Sequence, residues 1–122
     1  MAKTIMVVDD SASLRQVVGI ALKSAGYDVI EAADGKIALS KLGDKKINLI
    51  VCDVNMPNMD GITFVRELKQ QASHKFTPVI MLTTESQEAK KREGQAAGAK
   101  AWVVKPFKPE VLLGAVQKLC LP

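Results

Sequence analysis

Aromatic side chains are scarce in this chain: three phenylalanines, one tyrosine and one tryptophan among 122 residues. That is too few to build the stacking platform on which single-stranded nucleic acid is held. The formal net charge of +4 is not gathered into a long basic block, so the electrostatic footprint of a nucleic-acid binder is missing as well. The densest run, Lys90, Lys91 and Arg92, reads as the wet face of a helix or as a docking patch for an acidic partner. The one histidine, His74, and the two cysteines, Cys52 and Cys120, have no spacing that would hold zinc or frame a disulfide set. Cys52 lies inside an apolar run and reads as a small buried hydrophobe. Cys120 closes a predicted helix. His74 sits in a polar connection and is expected at the surface. No glycine-rich phosphate loop is present, which argues against a nucleotide or flavin binder. No apolar stretch is long enough to span a bilayer, and Asp9 and Asp10 arrive too early for a secretion signal. The expected compartment is the cytoplasm, without membrane insertion.

What the chain does have is regular alternation. Hydrophobic residues make up 48% and charged residues 25%, an ordinary globular balance. The length suits one domain over residues 1–122, with no room for an added DNA-binding unit. Short apolar runs at Thr4–Val8, Asp28–Ala32, Ile47–Cys52, Pro78–Leu82 and Ala101–Val104 read as strands. Helix-period segments separate them. After Ser11, a candidate cap, Leu14, Val17, Val18, Ala21, Leu22 and Ala25 share one face, and Gly26 ends that helix. Gly35 opens a short helix carrying Ile37, Ala38 and Leu42. The next carries Phe64, Val65 and Leu68 inward. Ser86–Ala97 is a polar helix with alanines on its inner side. The last begins near Pro109, with Val111, Leu112, Ala115, Val116 and Leu119 as its buried stripe. The nearly all-apolar Ile47–Cys52 suits a central strand, and the more polar Asp28–Ala32 suits an edge. Five strands alternating with five helices predict a doubly wound, three-layer α/β sheet with right-handed crossovers.

Ligands on such a sheet bind beyond the carboxyl ends of its strands. Asp9 and Asp10 follow the first strand, Asp53 the third, Thr83 the fourth and Lys105 the fifth. Three carboxylates brought together in a poorly solvated pocket repel one another and call for a cation. All-oxygen donors point to Mg²⁺, or Mn²⁺, rather than zinc. Lys105 would balance residual charge as a point charge.

With those residues in view, the sequence resembles the response-regulator receiver domain of bacterial two-component signalling over nearly its whole length. The resemblance is carried by Val7-Val8-Asp9-Asp10, by Asp53 with Met56-Pro57 and Asp60-Gly61, by Thr83, and by Lys105-Pro106-Phe107. It implies the flavodoxin-like fold with strand order 2-1-3-4-5. It implies that Asp53 accepts a phosphoryl group from a sensor histidine kinase. Asp10, Asp9, Asp53 and the backbone carbonyl of Asn55 would hold Mg²⁺. Thr83 and Lys105 would contact phosphoryl oxygens, and the Lys105–Pro106 peptide would be cis. Such a domain catalyses its own phosphorylation and dephosphorylation but is mainly a switch. The family often has Tyr, Phe or His on the fifth strand where this chain has Trp102, which opens the question of whether that ring moves. Thr83-Thr84-Glu85-Ser86, with Trp102 and Lys105-Pro106-Phe107, resembles the chemotaxis subgroup, implying a flagellar motor-switch partner, a phosphatase, and an output face including Lys90, Lys91 and Arg92; a monomer is expected, and, with no helix-turn-helix segment after the fifth helix, no direct DNA binding. A phosphorelay intermediate, a receiver that binds protein without phosphorylation, and a metal-dependent phosphatase remain alternatives.

Overall fold

A computed structural model of the chain describes residues 3–43, 45–84, 88–105 and 107–120, and for residues 84 and 88–91 the backbone alone. The elements run β1 (Thr4–Val8), α1 (Ala12–Ser24), β2 (Asp28–Ala32), α2 (Gly35–Leu42), β3 (Leu49–Asp53), α3 (Gly61–Lys69), a 3₁₀ turn (Ala72–His74), β4 (Val79–Thr84), α4 (Glu88–Ala97), β5 (Ala101–Lys105) and α5 (Pro109–Leu119). All neighbouring strands pair in parallel, in the order β2-β1-β3-β4-β5. β2 is an edge strand and β3 is central, as the hydropathy of the two runs predicts.

Alternation along the strands builds two cores. Met6, Val8, Ile50, Cys52, Val79 and Met81 face one side, where α2 and α3 bring Ala38, Leu42, Phe64, Val65 and Leu68. Ile5, Val7, Leu49, Val51, Ile80 and Leu82 face the other, where α1 and α5 bring Val18, Leu22, Leu112 and Val116. The middle strands are therefore apolar on both faces because both faces are covered. Serine and aspartate start the helices that lead away from the site. Ser11 caps α1 through the Leu14 amide, Asp34 caps α2 through Ile37, and Asp60 caps α3 through Thr63.

Three expectations need correction. His74 is buried, 1% exposed, because the 3₁₀ turn tucks its ring inward until Nε2 lies 3.2 Å from the Gly43 carbonyl oxygen. Val17 and Val111 are exposed at 53% and 55%, and Ile37 at 38%. Each helix covers the sheet with a narrower stripe than its full apolar face, because a flat layer touches only one line of a cylinder. Strand ends also shift: β3 runs from Leu49 through Asp53 itself, and β4 and β5 continue to Thr84 and Lys105. Among the described residues, no helix is long and apolar enough to cross a membrane.

Candidate functional site

The register brings the acids together. Val8 pairs with Cys52 across β1 and β3, so Asp9 and Asp53 leave adjacent strands at the same level. Asp9, Asp10 and Asp53 each offer a carboxylate oxygen, and all three oxygens lie within 4.8 Å of one another. Asp9 is 1% and Asp53 6% exposed, whereas Asp10 faces solvent. Lys105, at the end of β5, reaches back across the sheet. Its Nζ lies 3.1 Å from Asp53 Oδ1 and 3.3 Å from Asp9 Oδ2.

The electrostatics follow from crowding. Burial, and then the negative charge of Asp9, push the Asp53 carboxyl above its ordinary range, and Lys105 only partly offsets this. Burial pulls the Lys105 ammonium down, but Asp53 and Asp9 together outweigh that and hold it above its usual value. One monovalent cation is thus shared by two buried carboxylates, with a third beside them. Ligand oxygens on one octahedral Mg²⁺ stand about 3 to 4.2 Å apart. The observed cluster is close to that spacing, and its donors are all hard oxygens, so the residues fit such an ion.

The surroundings fix these groups. Asp9 Oδ1 accepts from the Ser11 amide at 2.8 Å. Arg15 donates from Nη1 to the Asp9 carbonyl at 2.5 Å and from Nε to Glu31 at 3.2 Å, clamping the β1–α1 turn to β2. Arg15 and Glu31 were not legible as site residues, since the decisive acceptor is a main-chain oxygen. Asn55 lies on the exposed loop two residues past Asp53. Thr83 is buried at 5% and pairs in register with Val104. Arg92 is exposed on α4. The side chains of Lys90 and Lys91 lie outside the described residues, as do Glu85, Ser86 and Pro106, and with Pro106 the peptide expected to be cis.

The chain matches the family described as "Response regulator receiver domain" over residues 5–117. It is a response-regulator receiver domain. This receiver is 40% identical to protein PilG of Pseudomonas aeruginosa, over 93% of its own length and 84% of PilG. It is similar to the chemotaxis protein CheY4 of Vibrio cholerae, with TM-score 0.93, 48% identity, and coverage of 98% of this chain and 99% of CheY4. The receiver domain of the sensor histidine kinase PA1611 of Pseudomonas aeruginosa, solved with a magnesium ion coordinated in its active-site cleft, superposes with TM-score 0.90 at 28% identity, covering 98% of each chain. The receiver spans about half the length of the PhoB and PhoP transcriptional regulators it also matches.

Trp102, the receiver's one tryptophan, turns its ring toward α4. It is partly buried against the α2–α3 core, and its Nε1 is enclosed without a hydrogen-bond partner among the described residues. The ring lies over Gly94, where any Cβ would overlap the six-membered ring. Gly94→Ala is therefore expected to expel the indole. In an unconstrained helix the substitution would gain about 1 kcal/mol. Here the overlap is expected to reverse the sign, for a net loss of about 1–2 kcal/mol, with red-shifted tryptophan emission. A more stable variant with unchanged emission would contradict the packing described.

Proposed function

We propose that this receiver is a phosphorylation-driven switch that accepts a phosphoryl group on Asp53 from a sensor histidine kinase. The observation that carries this reading is the Lys105 ammonium bridging Asp53 and Asp9, inside a cluster of three carboxylates drawn from two adjacent strand ends. In the proposed step a carboxylate oxygen of Asp53 attacks phosphorus. The P–N bond of a phosphohistidine breaks and its electron pair returns to the imidazole, so that an acyl phosphate and a free histidine result. Asp53 must be ionised to attack, and Lys105 favours that form. Lys105 then pairs with the phosphoryl oxygens as it does with the carboxylates, and Thr83, buried near the end of β4, would contact another. Asp9, Asp10, Asp53 and the Asn55 carbonyl would hold Mg²⁺, with Mn²⁺ as a substitute. Bound there, the ion would neutralise charge on the crowded carboxylates and on the transferred group. Water attacking the acyl phosphate would erase the signal.

The similarity to a chemotaxis protein supports a role in chemotaxis, with signalling as a cytoplasmic monomer to the flagellar motor switch and resetting by a phosphatase. The output face would be α4, β5 and α5, including Trp102, Lys90, Lys91 and Arg92. Intact-mass spectrometry after incubation with acetyl phosphate and Mg²⁺ tests the central claim. One phosphoryl adduct, lost when Mg²⁺ is chelated, is expected. An unmodified mass under saturating donor would sink the reading.

A further inference from the structure

The loop from Val54 to Asp60 joins β3 to α3 and carries Asn55. It is closed at its base: the Val54 amide donates to the Leu82 carbonyl at 3.1 Å and the Gly61 amide to the Val54 carbonyl at 2.8 Å. Its middle stands in solvent, with Asn55, Pro57 and Asn58 exposed. Asn58 has φ 68°, the left-handed region, and is the one non-glycine residue there among the described residues. Asparagine tolerates that region better than most side chains, but tolerance alone would serve as well with glycine. The side chain does something further: its Nδ2 donates to Asp34 Oδ2 at 2.9 Å.

Asp34 is a firm post for that bond. It is 5% exposed, and its other oxygen, Oδ1, accepts from the Ile37 amide at 2.9 Å and caps α2. The Ile37 amide, and then Asn58, hold its carboxyl below the ordinary range. Met59, the next residue of the loop, packs over Gly35 at the start of the same helix. One carboxylate thus serves its own helix with one oxygen and the loop with the other. Neither Asp34 nor Asn58 belongs to the acidic cluster.

We propose that Asp34 and Asn58 are positioning residues for the divalent-ion site: their hydrogen bond holds the β3–α3 loop, and with it Asn55 two residues past Asp53, in the conformation from which the Asn55 carbonyl would reach the ion. The inference rests on the reading that Asp9, Asp10, Asp53 and Asn55 hold the ion. Groups behind a metal's direct ligands commonly control affinity about tenfold or more.

Two variants of the full chain test it. Asn58→Gly keeps the backbone angle without strain and removes the tether. The exchange Asp34→Asn with Asn58→Asp reverses donor and acceptor while conserving both the capping oxygen and the net charge. Mg²⁺ affinity is read by calorimetry, and loop order by amide hydrogen exchange of residues 55–61 in metal-free protein. For Asn58→Gly, affinity is expected to fall about tenfold and exchange of the Met59 and Gly61 amides to accelerate before any ion is added. The exchanged pair is expected to restore slow exchange. Equal Mg²⁺ affinity in wild type and Asn58→Gly overturns the proposal, as does unchanged loop exchange. A wild type that binds no Mg²⁺ while its loop exchange still depends on Asn58 overturns the ion-site reading, and the positioning role with it.

Discussion

An Asp53→Asn variant is expected to lose phosphoryl acceptance by at least about a thousandfold, roughly 4 kcal/mol of barrier, and at neutral pH without metal to be more stable than wild type. The first effect follows because a neutral carboxamide is a far weaker nucleophile than a carboxylate. The second follows from the crowding. Burial and Asp9 raise the folded-state carboxyl of Asp53 above its ordinary range, so the native state holds this proton more tightly than the unfolded chain does. Stability contributed by Asp53 is then fully present below the ordinary carboxylate range. It is lost as pH rises through the raised folded value. Asparagine cannot ionise and so escapes that loss. The stability difference between variant and wild type should therefore grow from acid to neutral pH and shrink when Mg²⁺ is added. Urea denaturation across that range, with and without Mg²⁺, measures it. A variant less stable than wild type at neutral pH would mean that the Lys105 pairing outweighs the crowding.

Gly61→Ala is expected to cost about 3 kcal/mol or more, at the upper end of overpacking penalties, and to lower Tm by about 10 °C. A Cβ at position 61 would overlap the backbone carbonyl oxygen of Asp53, and the Met81 methyl stands close by. The methionine can swing away, but the end of a strand paired on both sides cannot. The strain falls on Asp53, the proposed acceptor, so phosphoryl acceptance should fall with stability, even at temperatures where the variant is fully folded. Calorimetry and intact-mass labelling at a low temperature separate the two losses. Wild-type labelling by a folded, destabilised variant would show that the strain is absorbed elsewhere.

The strands and helices could be read from hydropathy because β1, β3 and β4 are apolar on both faces and α3 concentrates its apolar residues on one side. The order of the strands could not, since periodicity carries no information about neighbours; it came from the resemblance. Asp9, Asp10, Asp53 and Lys105 were legible because each stands at the carboxyl end of a predicted strand, where an open parallel sheet binds ligands. The residues that hold them were not. Arg15 acts on a main-chain oxygen, Asn58 on a side chain 24 positions away, and Gly61 by lacking a Cβ. None of these leaves a mark in local composition. His74 misled for a related reason: the polar character of its connection says nothing about a 3₁₀ turn that folds the ring beneath the surface.

The bond from Lys105 to Asp9 joins residues 96 positions apart, and it can form only when the first and last strands stand in one finished sheet. Loop closure over such a span comes late in assembly. A ribosome-bound fragment that displays Asp9, Asp10 and Asp53 but not yet β5 therefore lacks the ammonium that pairs with Asp9 and Asp53. On the proposed phosphoacceptor reading, competence would therefore arrive only once β5 has paired with β4, and a shorter fragment would stay silent.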